Sequence, residues 1–114
     1  MIISVGTKVH VVERRLFESD VRRHFIGEVM ASSDQAMQVR GWVFVYDGST
    51  ASFRRQPERR TRIVTLVDAR IIVNILPEEA VIERAEYRSD ENGNLTVTDG
   101  EAFSLAMNEF GFRR

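Results

Sequence analysis

From Met37 to Tyr46 the chain is apolar on both faces of an extended strand: Met37, Val39, Val43 and Val45 on one side, Trp42, Phe44 and Tyr46 on the other. The stretch Ile71–Leu76 repeats this, with Ile71, Val73 and Ile75 set against Ile72, Asn74 and Leu76. A strand covered on one face only alternates apolar with polar residues, so two apolar faces demand a second covering layer. That layer is either the chain's own later segment or another subunit.

Helical periodicity is nearly absent, and runs of β-branched and aromatic residues are separated by turn residues. Strands are expected over Thr7–Arg14, Val21–Ser32, Ala36–Tyr46 and Arg70–Leu76. A further strand covers Ala51–Arg55 and Arg60–Val67, interrupted by the polar Gln56-Pro57-Glu58. Phe25, Val29 and Ala31 are expected on the side of Val9 and Val11. Turns fall at Ser32-Ser33-Asp34, Asp47-Gly48-Ser49 and Asp68-Ala69. This spacing argues for an all-β fold: a small, strongly bent, five-stranded antiparallel barrel over residues 1–77. Gly27 and Gly41, inside strands, read as bends.

Pro77 opens a β-rich extension, residues 78–114, packed on the barrel or at a subunit interface. Glu78–Arg88 reads as a strand or edge segment, Asp90–Asn94 as a turn, and Leu95–Thr98 with Ala102–Met107 as a hairpin. The alternative for the last piece is a short helix over Glu101–Phe110, capped by Asp99 and stopped by Gly111; the alternation of Phe103, Leu105 and Met107 favours the strand.

The 114 residues suit one domain, and no cysteine is present, which excludes disulfides, thiolate catalysis and iron–sulfur ligation. Two histidines, His10 and His24, are too few for a metal site; the expectation is a cross-strand surface pair. No glycine-rich phosphate loop or nucleophile motif occurs, so neither catalysis nor a cofactor is expected. No apolar run reaches membrane-spanning length and Met1–His10 lacks the pattern of a secretory signal; the expected location is cytoplasmic, without a membrane partner. Fifteen arginines stand against one lysine, Lys8. A GC-rich genome gives such a ratio; arginine also suits phosphate and base contacts better than lysine. Residues 1–75 hold 12 basic and 8 acidic side chains, residues 76–114 hold 4 and 9. A basic body with an acidic tail fits a polyanion partner as well as a solvated surface.

Residues 6–77 resemble the Sm-like family of RNA-associated small barrels. The motifs are Gly6-Thr7-Lys8-Val9-His10-Val11, Arg23-His24-Phe25-Ile26-Gly27-Glu28-Val29, Asp34-Gln35-Ala36-Met37-Gln38-Val39 and Leu66–Pro77 around Arg70. The chain departs from the pattern in several places, among them a longer Arg15–Asp20 loop, no room for the usual N-terminal helix before Gly6, and the tail after Pro77. Gln38 stands for the usual asparagine, Ile71 rather than glycine follows Arg70, and the segment between Gly27 and Asp34 is one residue longer. The resemblance implies a homo-oligomer, a ring closed by edge-strand pairing, that binds single-stranded RNA. It implies a pocket in which Met37 and Arg70 stack a base and Gln38 reads its edge, beside Asp34.

Read from the residues alone, Asp34 equally caps a turn and Gln38 and Arg70 face solvent. Arg54, Arg55, Arg59, Arg60 and Arg62, around Pro57, form a flexible basic arm for phosphate contact or a solvated edge-protecting loop. Arg14, Arg15, Arg22 and Arg23 form a second basic cluster flanking the first hairpin loop. Trp42, Phe44 and Tyr46 read as core or interface before a base-stacking platform. The acidic run from Glu78 to Glu91 reads as a solvated face. The alternative function is a non-catalytic assembly module without nucleic acid.

Overall fold

The computed structural model describes residues 2–17, 19–89 and 91–107. Eight strands form two antiparallel sheets: β1 (Lys8–Glu13), β2 (Arg23–Ser32), β3 (Ala36–Asp47), β4 (Ser52–Thr65), β5 (Ile71–Ile75), β6 (Glu86–Ser89), β7 (Leu95–Thr98) and β8 (Ser104–Ala106). The first sheet has the order β4-β3-β2-β1-β5 and the second β6-β7-β8. The chain is thus all-β, with strands close to those expected.

The first sheet curves. Val64 of β4 and Ile71 and Val73 of β5, on opposite edges, pack on one cluster with Val9, Val11, Phe25, Val29, Met37 and Val39. The barrel is not closed, however, since β4 and β5 do not pair, and among the described residues each keeps a free edge. Three sequence features produce the curvature. Gly27 faces Gly41 across β2 and β3, and a Cβ on either would overlap the other strand's backbone. The residue that makes the Gly27–Asp34 segment long becomes a bulge: Val29 faces Val39, Met30 is extra, and Ala31 faces Gln38. Ala31 therefore leaves the face of Val9 and Val11, contrary to the alternation expected, and Ser32 takes its place opposite Met37. The third feature is Gln56-Pro57-Glu58, which does not break β4. The strand runs on with a register shift opposite Val43, and Pro57 sits where the free edge needs no N–H. The arginines of 54–62 are strand residues, not a flexible arm.

The second sheet covers the other face. Ile26, Phe44 and Phe53 of the first sheet cluster with Ile82, Tyr87, Val97, Phe103 and Met107, while Trp42 and Tyr46 pack alongside. The two-faced apolar pattern of β3 is satisfied within one chain, while Ile75 of β5 stays exposed. Each large side chain buried there contributes about 2 kcal/mol before the entropy of ordering the segment is subtracted.

Glu78–Arg88 is not one strand: a 3-10 turn, Ile82–Arg84, precedes β6. The last hairpin forms as the alternation suggests, and Asp99 serves its turn. Its carboxylate accepts N–H bonds from Glu101 (2.9 Å), Ala102 (2.8 Å) and Phe103 (3.2 Å), which is helix-cap chemistry without a helix. Phe110 and Gly111 of the helical alternative, Asp90 of the turn before β7 and Glu18 of the first loop lie outside the described residues.

Candidate nucleic-acid interface

The residues of the expected pocket are spread over three places. Met37 is fully buried, facing Ser32 and Val64. Gln38, its neighbour, is exposed on the opposite face, between Ala31 and Ile63. Asp34 is exposed in a turn that Ser33 holds, its Oγ accepting the N–H of Gln35 (3.2 Å) and Ala36 (3.3 Å). Asp34 borders an apolar cavity of about 480 Å³ with Ile2, Leu66 and Ile75. Arg70 lines a different cavity. The Asp68 carboxylate accepts its Nε (3.3 Å), its terminal nitrogen (2.9 Å) and its backbone N–H (2.8 Å). These bonds from Arg70 hold the Asp68 carboxyl below the usual range and raise the Arg70 guanidinium.

The arginines of β4 divide by role. Arg54 pairs with Asp47 and Arg60 with Glu58, each at 3.2 Å, as exposed ion pairs of little energetic weight. Arg59 is exposed. Arg62 reaches 5.9 Å from the centre of the Phe25 ring. Arg55 points the other way. It donates to the carbonyls of Glu83 (2.6 Å) and Ala85 (2.9 Å) and lies over Trp42 at 4.6 Å, so it clamps the C-terminal segment to the first sheet. Its partners are carbonyls, not the carboxylates of the acidic run.

What the fold brings together is a set the motif search divided. Arg23 of β2, Arg62 of β4 and Arg70 before β5 line one cavity of about 260 Å³, floored by Val11, Phe25 and Val64 and flanked by Glu13 and Asp68. A neighbouring cavity of about 330 Å³ shares Glu13, Arg23 and Arg70 and extends it to the β1–β2 loop, at Leu16 and Val21. Among the described residues Arg23 and Arg62 form no ion pair. Phe17, in that loop, is 64% exposed. Sequence reasoning passed it over, although an aromatic between two arginine pairs was a visible signal.

The histidines are close, with ring centroids 5.1 Å apart, but they are buried, not a surface pair. The reason is Tyr87, brought over them by β6. With the Asn74 amide nitrogen donating to His10 Nδ1 (3.1 Å), His10 keeps its proton on Nε2 and donates it to Tyr87 Oη (3.0 Å). The Tyr87 hydroxyl then donates to His24 Nδ1 (2.6 Å). Burial lowers His10 to about 4. Burial, then the charges of His10 and Arg22, lower His24 to about 3. Both imidazoles are neutral near pH 7, and the chain of bonds is structural. Among the described residues no group of three His, Cys, Asp or Glu could hold a metal ion.

Comparison with family models, with curated protein sequences and with solved structures finds no significant match. No helix among the described residues is long and apolar enough to cross a membrane.

Proposed function

We propose that this chain is a non-catalytic protein of the Sm-like kind, its curved first sheet an open barrel, which assembles with copies of itself and binds single-stranded RNA. The observation that supports this most is β4, a 14-residue strand at the edge of the first sheet that exposes Arg54, Arg59, Arg60 and Arg62. An arginine-bearing edge offers charge-assisted contacts to a phosphate backbone. The free edges of β4 and β5 supply the pairing groups for assembly. The two apolar faces of β3 no longer argue for a partner, since the second sheet covers one of them.

The test is binding of a labelled oligouridine at rising salt, with the molar mass measured by light scattering. RNA binding that weakens as salt rises, by a species larger than one chain, is the expected result. No binding at low salt rejects the RNA reading, and a monomer rejects the assembly.

A second reading, a protein-interaction module, is favoured by Ile2, Ile63, Val67 and Ile75, large apolar side chains left exposed on or near the free edges. An oligomer that ignores RNA would select it.

A further inference from the structure

We propose that single-stranded nucleic acid lies in the trough at the β1–β2 loop, where Arg23 and Arg62 grip its phosphates and Phe17 stacks an unpaired base. The proposal rests on the RNA-binding reading and moves its site away from Asp34 and Gln38, keeping only Arg70 at its wall.

Three observations carry it. First, Arg23 and Arg62 reach one cavity from β2 and β4 without an ion-pair partner among the described residues, while Arg70 beside them is fixed by Asp68. Both guanidiniums are exposed and keep their donors open, and a phosphate supplies bidentate acceptors. Second, the trough is continuous, the two cavities sharing Arg23 and Arg70, so it can follow a strand rather than hold one small anion. Third, the loop is built. The Asp20 carboxylate accepts the N–H of Leu16 (3.2 Å) and Phe17 (3.0 Å), and the Asp20 N–H bonds the Phe17 carbonyl (3.0 Å). Phe17 is exposed and follows Leu16, which lines the second cavity. A flat aromatic beside paired cations is how proteins hold splayed bases without reading their sequence.

An anionic membrane is the competing ligand, since Leu16, Phe17 and Val21 are apolar and exposed. The acidic Glu13 and Asp68 beside these arginines argue against it, because they repel an anionic bilayer. Asp20 at the apolar tip also opposes an anionic surface.

The experiment compares the full chain with Phe17→Ala, Phe17→Tyr, the double variant Arg23→Ala/Arg62→Ala and the edge variant Arg59→Ala. Each is titrated with labelled oligouridine, with the matching duplex and with phosphatidylserine vesicles. The four residues changed are all exposed, and thermal melts like the wild type's confirm the fold. Phe17→Ala is expected to weaken oligouridine binding by about 5- to 20-fold with an unchanged salt slope. Phe17→Tyr restores the affinity, and the duplex binds less well. Losing both arginines lowers the salt slope by about 1.4, as two phosphate contacts to a single strand require. If Phe17→Ala and the double variant bind like the wild type while Arg59→Ala does not, the trough is wrong and the RNA reading stands. If the wild type binds no RNA, that reading fails and the trough with it. Vesicle binding that depends on Phe17, without RNA binding, overturns the proposal in favour of a membrane-docking loop.

Discussion

Tyr87 Oη stands 2.6 Å from His24 Nδ1, and the same oxygen is 3.0 Å from His10 Nε2. One hydroxyl of the second sheet thus closes the hydrogen bonding of two buried imidazoles in the first. Tyr87→Phe keeps the ring against Phe44 and Phe53 but leaves a donor and an acceptor unsatisfied in the core. The expected cost is about 2–3 kcal/mol, since an unmade buried hydrogen bond costs more than a made one contributes. For a chain of this size that lowers the melting temperature by roughly 10 °C. A calorimetric scan showing no change would mean that the hydroxyl is not closing this network.

The same network sets an acid limit. In the unfolded chain the imidazoles take up protons near pH 6.5; in the folded protein His10 does so at about 4 and His24 at about 3. The folded values are depressed, so between those limits the unfolded state binds more protons. The stabilisation is complete above pH 6.5 and is lost as the pH falls toward the folded values. Shifts of this size correspond to several kcal/mol for groups this buried. The charge of Arg22 adds to the lowering at His24. Asp99 acts later. Burial raises its carboxyl, but the backbone N–H bonds from Val81, Glu101, Phe103 and Ala102 outweigh this and bring it to about 2, so its stabilisation is lost as the pH falls below the ordinary carboxylate value. Urea midpoints should therefore drop steeply below pH 6.5. In His24→Gln the drop should be shallower, and a flat wild-type profile down to the carboxylate range would contradict the burial of both rings.

Much of the first sheet could be read from period and punctuation. Paired apolar faces located β3 and β5, but the extra residue before Asp34 was not read as the bulge that the structure places at Met30, so Ala31 was put on the wrong face. Long-range geometry was not readable. Nothing local to His10 and His24 announces Tyr87, 63 residues beyond His24, so a diagonal surface pair was the natural inference. The candidate site was split for the same reason. Strand alternation puts Met37 and Gln38 on opposite faces, whatever a motif suggests for them jointly. Arg23 and Arg62 meet only because the sheet curves until its edges share a core.

The curvature itself can be tested at Gly41. A methyl there would overlap the Ile26 carbonyl and the Gly27 Cα, both backbone atoms that no rotamer change can move. Gly41→Ala should cost more than about 4 kcal/mol, in the range reserved for gross steric conflict, and should mostly unfold the chain. Gly48, in the β3–β4 turn, has nothing within 4 Å of an added Cβ, so Gly48→Ala should stay within about 0.5 kcal/mol of wild type. Equal effects at the two positions would disprove the close crossing of β2 and β3.

Arg55 and Arg59 are near neighbours on β4 with different tasks, and this separates a docking residue from a surface one. Arg55 holds the carbonyls of Glu83 and Ala85, and Lys8 holds those of Glu78 (2.7 Å) and Ala80 (2.8 Å), so two cations pin the segment leading into β6. These carbonyls lie where the chain turns too sharply to pair them in a sheet. Removing a pin frees the segment to open while the first sheet stays folded. Arg55→Ala and Lys8→Met are each expected to cost about 1–2 kcal/mol, as loss of a charged donor does. They should also speed amide exchange at Arg84 and Ala85, whose N–H groups bond Val81 and Ile82 within this segment. Arg59→Ala should leave both stability and exchange unchanged. If Arg55→Ala alters neither, the second sheet is held by its apolar contacts alone, and Arg55 returns to the pool of arginines available to a phosphate backbone.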